Sequence, residues 1–304
     1  MSSSGNRDSH EELRAPATVQ SAHLANGVTL QYVEQGNPSG MPVVLLHGGT
    51  DSWHSFDLVL PHLPDSIRAF ALTMRGHGDS SHPESGYRYT DFSGDLAGFM
   101  DVVGLRSAVI AGHSLGRAVA QRFAIDYPER TAGLVLIGAF AGQAGNPAIV
   151  ELTETVSKFT DPVDEGFVRE FQLSTLAQPV PPAFLELVVT ESLKVPARVW
   201  REMFVGIRDD DAATGLEKLT VPTLVLSGEK DAFVPPSEVA RMASTIPGAR
   251  LVFYPNVGHA LHWEEPARFA FDLAAFTAKL EPQAAEDTYG ANYGAPYEPG
   301  DSGG

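Results

Sequence analysis

The chain has 304 residues, no cysteine and a formal net charge of −17. This length is compatible with one large domain, and the lack of cysteine excludes disulfide bonds and thiolate chemistry. The acidic balance argues against nucleic acid and anionic membranes as partners, because both favour basic surfaces. Residues 1–16 contain no apolar signal core, and no apolar run approaches the roughly 20 residues that cross a bilayer. We therefore expect a cytoplasmic protein that begins with a flexible segment.

The first predicted elements are two antiparallel strands. Alternating runs over 18–24 and 28–33 flank Asn26-Gly27, a dipeptide typical of β-hairpin turns. Four short apolar runs then alternate with helical segments, and they begin at Pro42, Arg68, Ser107 and Ala132. This alternation predicts a mostly parallel α/β sheet that is covered by helices on both faces.

The pattern changes over residues 142–214, where it predicts helices only. We interpret this stretch as a helical cap inserted into a core domain of residues 17–141 and 215–280. Pro162 and Pro196 occupy plausible first positions of cap helices, because the missing N–H of proline is tolerated there.

The C-terminal part of the core completes the sheet. Strand signals resume at Val221 and Ala249, and a last helix runs from about Pro266 to Leu280. Residues 281–304 are rich in Gly, Pro, Ala and acidic residues and have no periodicity, which predicts a disordered tail.

The motif with the clearest chemical meaning is Gly112-His-Ser114-Leu-Gly116, which lies between a predicted strand and a predicted helix. In G-x-S-x-G the serine occupies a sharp, strained turn, and the small glycines avoid collisions around it. The serine hydroxyl then projects from the carboxyl edge of the sheet. Free N–H groups at the start of the following helix stabilise negative charge that arises there. Ser114 is therefore a candidate nucleophile.

A candidate acid and a candidate base follow the last two predicted strands, at the edge where parallel sheets bind ligands. Asp231 follows the first of these strands and His259 follows the second. A serine hydroxyl needs a base, so His259 would accept its proton while Asp231 orients the imidazole. The chain order Ser, Asp, His is that of hydrolases built on this kind of sheet. Glu229 remains an alternative acid.

A second glycine-rich loop, His47-Gly48-Gly49-Thr50, follows the first parallel strand. Glycine lets the backbone approach a substrate closely. We predict an oxyanion hole formed by the backbone N–H groups of Leu115 and Gly49, with Thr50 as the alternative to Gly49.

Aromatic residues of the cap and of the oxyanion loop predict a mainly apolar pocket, which suits a neutral, moderately hydrophobic small-molecule ester or lactone. The candidate substrate-binding residues are Trp53, His113, Trp200 and Phe204. No cofactor is expected, because Gly76-His-Gly78 lacks the third glycine of a dinucleotide fingerprint. No metal site is expected, because the histidines are scattered singly along the chain.

Together these motifs resemble the α/β-hydrolase fold family over about residues 18–280. The resemblance implies an eight-stranded, mostly parallel sheet with helices on both faces and an inserted helical cap over the active site. The resemblance also implies that Ser114 is the nucleophile, Asp231 the acid and His259 the base. One departure is Arg117, where family members usually have a small residue. Two interpretations of this residue remain open: its guanidinium is solvated or ion-paired, or it binds a substrate carboxylate.

We expect a serine hydrolase that cleaves a carboxylic ester or lactone through an acyl-enzyme on Ser114. One alternative is that the same triad carries out carbon–carbon bond hydrolysis or perhydrolysis. The cap arginines Arg198 and Arg201 are compatible with carbon–carbon bond hydrolysis. The other alternative is a ligand-binding protein that retains the triad. The sequence makes no prediction of oligomeric state.

Overall fold

The computed structural model describes residues 18–139, 147–209 and 214–280. The predicted flexible segment over residues 1–16 and the predicted tail over residues 281–304 lie outside the described residues.

The described residues form one eight-stranded sheet in the order β1-β2-β4-β3-β5-β6-β7-β8. The strands are β1 (Val19–His23), β2 (Thr29–Gly36), β3 (Met41–Leu46), β4 (Ile67–Leu72), β5 (Ala108–His113), β6 (Thr131–Ile137), β7 (Thr223–Gly228) and β8 (Arg250–Tyr254). Strand β2 is antiparallel to both of its neighbours, β1 and β4, and every other pair is parallel. The prediction of a mostly parallel sheet is confirmed.

Helices connect the strands. They are α1 (Tyr89–Val102), α2 (Leu115–Asp126), α3 (Pro147–Val156), α4 (Glu165–Ser174), α5 (Pro182–Leu193), α6 (Ala197–Asp209), α7 (Pro236–Thr245), α8 (Leu261–Glu264) and α9 (Pro266–Thr277). Helices α3 to α6 lie between β6 and β7, where the sequence predicts an inserted cap, although the exact limits of that cap stay a prediction. Within the described ranges, no helix combines the length and the apolarity needed to cross a bilayer.

Two cores lie on opposite faces of the sheet because successive side chains of a strand point to opposite sides. On β3, Val43 and Leu45 belong to the core that α9 covers, whereas Val44 and Leu46 belong to the core that α1 and α2 cover. All four side chains are buried completely. Each such side chain contributes roughly 1.5–3 kcal/mol when it leaves water.

The prediction that Pro162 and Pro196 are the first residues of helices is wrong. Helix α4 begins after Asp164 and not at Pro162, because the Asp164 carboxylate accepts the N–H of Phe167 at 2.8 Å and caps the helix. Likewise, α6 begins one residue after Pro196. An acceptor for the free N–H groups of the first turn therefore determines the start of α4.

Candidate active site

Ser114 lies on a tight turn between β5 and α2. Its backbone has φ 50° and ψ −107°, a conformation that non-glycine residues rarely adopt. A Cβ atom on Gly112 would lie 2.1 Å from the carbonyl oxygen of Gly116, and one on Gly116 would lie 2.4 Å from that of Leu46. Only glycine fits at these two positions. The turn therefore holds Ser114 at the carboxyl edge of the sheet.

Asp231 and His259 form a buried hydrogen-bonded pair on the loops that follow β7 and β8. Nδ1 of His259 lies 2.7 Å from Oδ2 of Asp231. The other carboxylate oxygen, Oδ1, accepts the backbone N–H groups of Phe233 at 2.8 Å and Val234 at 3.1 Å. The carboxylate is therefore held in place by three N–H groups, and it orients the imidazole. Glu229, the alternative acid, is exposed.

Ser114 and His259 line the same cavity, which opens between the carboxyl edge of the sheet and the helical insertion. The lining residues are Gly48, Gly49, Asp51, Tyr89, His113, Ser114, Leu115, Leu152, Phe171, Gln172, Thr175, Phe204, Phe233, His259 and Trp263. Most of this lining is apolar. The cavity thus combines a hydroxyl and an imidazole with a mainly hydrophobic wall.

The two predicted oxyanion donors, Gly49 and Leu115, also line this cavity. Leu115 is the first residue of α2, so its N–H has no partner within the helix. Neither this N–H nor that of Gly49 has an acceptor within the described part of the chain. The loop around Gly49 is braced by His47, which donates from Nδ1 to the Gly48 carbonyl at 2.7 Å and accepts the N–H of Met74 at Nε2, 3.0 Å away.

Burial lowers the pKa of His47 well below its usual value. The ring is therefore neutral, and a neutral imidazole can donate on one side and accept on the other as this brace requires. The alternative oxyanion residue, Thr50, has φ 71°, and its hydroxyl lies 3.2 Å from that of Ser192. Its side chain is thus engaged with α5 of the insertion.

The structure brings two of the four predicted substrate-binding residues to the cavity, His113 and Phe204. Trp53 lies elsewhere, because its ring stacks on His54 at a centroid distance of 3.8 Å and packs into the core that α9 covers. Trp200 is buried completely. Its indole packs against other aromatic side chains of the insertion, namely Phe159, Phe167, Phe171 and Phe204. The aromatic side chains of the insertion therefore bury one another rather than all facing the cavity.

None of the three arginines that the sequence singles out lines the cavity. Arg117 is buried completely and donates to Gln121 one turn later on α2. Burial lowers the pKa of Arg117 to about 10. Arg198 and Arg201 both donate to backbone carbonyl groups. The structure therefore does not bring these side chains to the cavity.

Sequence reasoning missed Asp51 and Gln172, which form a polar wall of the cavity. Nε2 of Gln172, on α4, donates to Oδ1 of Asp51 at 2.9 Å and to the hydroxyl of Ser192 at 2.7 Å. Burial raises the pKa of Asp51 from its usual 3.8 to about 7, against the lowering effect of hydrogen bonds from Gln172, Gly48 and Ser55. No motif marked these two residues, since they are 121 positions apart in the chain.

Replacing Asp51 by Asn is expected to change how stability depends on pH. Because the folded protein binds the Asp51 proton more tightly than the unfolded chain does, this group's contribution is complete below about pH 4 and is lost as pH rises through about 7. The separation of the two pKa values corresponds to roughly 4 kcal/mol. Urea unfolding of both proteins from pH 4 to pH 8 should show the wild-type free energy of unfolding falling relative to that of Asp51→Asn. A constant difference would contradict the burial argument.

The comparisons with known proteins agree with this architecture. A profile of the "Alpha/beta hydrolase family" matches residues 43–273, about three quarters of the chain. The chain belongs to the α/β-hydrolase family.

This α/β-hydrolase family member is similar to the 2-hydroxymuconate semialdehyde hydrolase of Pseudomonas sp. strain CF600, at 28% identity over 86% of this chain and 94% of the relative. It is 26% identical to Lipase 1 of Psychrobacter immobilis, over 90% of this chain and 88% of the lipase. A solved structure of a thermophilic esterase from Thermogutta terrifontis superposes with a TM-score of 0.74 at 28% identity, over 87% of this chain and 99% of the esterase. These relatives support a hydrolase.

Proposed function

We propose that this protein is a serine hydrolase that cleaves a carboxylic ester or lactone of a neutral, moderately hydrophobic small molecule. The observation that carries the proposal is the buried Asp231–His259 pair, 2.7 Å between Oδ2 and Nδ1, on a cavity that Ser114 also lines. A serine held on a strained turn and an oriented imidazole on the same cavity match the requirement of nucleophilic catalysis. The proposed chemistry requires no cofactor.

In the first half of the reaction, Ser114 Oγ attacks the carbonyl carbon of the substrate and transfers its proton to Nε2 of His259. Asp231 stabilises the imidazolium that forms and keeps Nδ1–H directed at its own Oδ2. The tetrahedral intermediate then expels the alkoxide, which takes the proton from His259. An acyl-enzyme on Ser114 remains, or a tethered hydroxyacyl-enzyme when the substrate is a lactone.

In the second half, water replaces the alcohol. His259 removes a proton from this water, which attacks the acyl carbon, and the second tetrahedral intermediate collapses with return of the proton to Ser114. The carboxylic acid leaves, and every proton that moves does so through His259.

The negative oxygen of each intermediate would be bound by the N–H groups of Gly49 and Leu115. Both residues line the cavity, and their N–H groups lack an acceptor within the described residues. Each well-placed donor of this kind contributes roughly 2.7–4 kcal/mol of transition-state stabilisation.

The cavity wall supports a neutral substrate. Its larger side chains are mostly apolar: Leu152, Phe171, Phe204, Phe233 and Trp263. No arginine or lysine contributes to the lining among the described residues, and the chain carries a net charge of −17. An anionic substrate would therefore find no counter-charge in the cavity and an unfavourable field outside it.

A matched pair of esters tests this preference. We expect kcat/KM for a neutral p-nitrophenyl acyl ester to exceed that for an ester of equal chain length ending in a carboxylate by at least about tenfold, because the protein's field disfavours the anion. Hydrolysis is followed by nitrophenolate release, and the difference should shrink with added salt. Carbon–carbon hydrolysis is tested with a vinylogous diketone acid, followed by the loss of that substrate's own absorbance, and perhydrolysis is tested by adding peroxide and following peracid formation. Faster turnover of the diketone acid, or faster peracid formation than ester hydrolysis, would overturn the ester assignment.

A further inference from the structure

One segment of the helical insertion is bonded directly to the loop that carries His259. The segment is the connection between α4 and α5, and its first residue is Thr175. The Thr175 carbonyl oxygen accepts the backbone N–H of His259 at 2.8 Å and that of Ala260 at 3.1 Å. A cap residue thus contacts the backbone of the candidate base itself.

A half-buried carboxylate, that of Glu264 on α8, joins the same two segments. Its Oε1 accepts the N–H of Gly258 at 2.9 Å and that of Ala177 at 3.2 Å, and its Oε2 accepts the N–H of Gln178 at 2.9 Å. Gly258 belongs to the histidine loop, whereas Ala177 and Gln178 belong to the connection from α4 to α5. One carboxylate therefore accepts N–H groups from both sides of the contact.

The two segments are packed closely at this point. A Cβ atom on Gly258 would lie 2.7 Å from both the N–H nitrogen of Ala177 and the carbonyl oxygen of Thr175. The side chain of Gln178 adds a further bond, donating to the carbonyl oxygen of Asn256 at 3.1 Å. The histidine loop therefore has little freedom to shift relative to the insertion.

The two helices that this segment connects also contact the oxyanion loop. Gln172 on α4 donates to Asp51, and Ser192 on α5 lies within hydrogen-bond distance of Thr50. The insertion thus touches both loops that the proposed mechanism uses. Gln172 of α4 and Ser192 of α5 contact the oxyanion loop, and the connection between these helices contacts the histidine loop through Thr175.

We propose that Glu264 is a positioning residue, which ties the α4–α5 connection to the histidine loop so that the insertion holds His259 in its reactive place. This inference rests on the proposed function, since it assigns the role of base to His259. Glu264 acts through the backbone of residues 258–260 and is not a member of the cavity lining. A misplacement of about 1 Å, caused away from the reacting atoms, can lower a rate about 100-fold.

The test compares Glu264→Ala and Glu264→Gln with the wild type and with Glu265→Gln. The alanine variant loses all three bonds, whereas the glutamine variant can keep the two that Oε1 accepts and lose the one at Gln178. Glu265 is the matched control, because its carboxylate pairs with Arg268 at 3.2 Å instead of with the histidine loop. We expect kcat to fall about 100-fold in Glu264→Ala, less in Glu264→Gln and not in Glu265→Gln, with KM changed little.

The second readout is the rate at which a fluorophosphonate labels Ser114, measured well below the melting temperature of every variant. If the base is displaced, the labelling rate falls across the variants in the same order as kcat does. If Glu264 has a purely structural role, its replacement lowers only the melting temperature. Unchanged labelling and kcat in a folded Glu264→Gln and Glu264→Ala would overturn the inference. Failure of the wild type to react would instead overturn the proposed function, so the two failures are distinguishable.

Discussion

Replacing Ser114 by Ala is expected to lower kcat for ester hydrolysis by about 10⁶, the size of effect that loss of a nucleophile in such a triad has. The substitution removes the atom that attacks the substrate in the first half of the proposed mechanism. It should leave the fold intact, because alanine has a Cβ like serine and meets the same backbone strain at φ 50°. Steady-state kinetics with a p-nitrophenyl ester measure the loss, and thermal unfolding shows that the variant is folded.

The matched control for this variant is Ser244→Ala. Ser244 is exposed on α7 and donates only to the carbonyl oxygen of Arg241. The Ser244→Ala variant should retain the wild-type kcat. More than about a tenth of the activity remaining in a folded Ser114→Ala would contradict an acyl-enzyme on this residue, since triad knockouts elsewhere leave far less.

Asp231→Asn is expected to lower kcat by about 10⁴ with little loss of stability, by analogy with the same change in another triad. Oδ1 of Asp231 accepts two backbone N–H groups, from Phe233 and Val234. The oxygen of the asparagine side chain will therefore keep accepting these two N–H groups, and the side-chain NH₂ group will face His259. The imidazole must then accept at Nδ1 and carry its proton on Nε2, which is the wrong tautomer for accepting a proton from Ser114.

The pH dependence of kcat and a matched variant, Glu229→Gln, check this argument. Glu229 is the other carboxylate near the end of β7, and it is exposed. Its replacement should leave kcat within about twofold of the wild type, as surface changes away from special features usually do. A loss in Glu229→Gln as large as that in Asp231→Asn, or full activity in Asp231→Asn, would contradict the assignment of the acid.

Much of the fold follows from local patterns in the sequence. Buried parallel strands are short apolar runs, and helices separate them, so their order along the chain predicts the sheet. The elbow is local only in part. A side chain on Gly112 would collide with Gly116, four positions away, whereas one on Gly116 would collide with Leu46 on the adjoining strand β3. The catalytic roles of Ser114, Asp231 and His259 remain predictions, although the structure places Asp231 and His259 in hydrogen-bond contact.

The composition of the cavity wall was harder to predict, because it depends on how the insertion packs over the sheet. Trp200 and Phe204 lie one helical turn apart, yet the first packs among other aromatic rings and only the second reaches the cavity. Asp51 acquires its importance from Gln172, which is 121 positions away. Neither relation leaves a periodic signal in the sequence, since both arise from tertiary packing.

The most direct test of the central claim is covalent labelling with a fluorophosphonate, read by intact mass and peptide mapping. Such a probe phosphonylates a serine that a base and an oxyanion hole have activated. The proposed mechanism predicts one adduct per chain, located on Ser114 and absent from Ser114→Ala. No adduct on the folded wild-type protein, or an adduct on another residue that persists in Ser114→Ala, would contradict it and favour a ligand-binding role for the cavity.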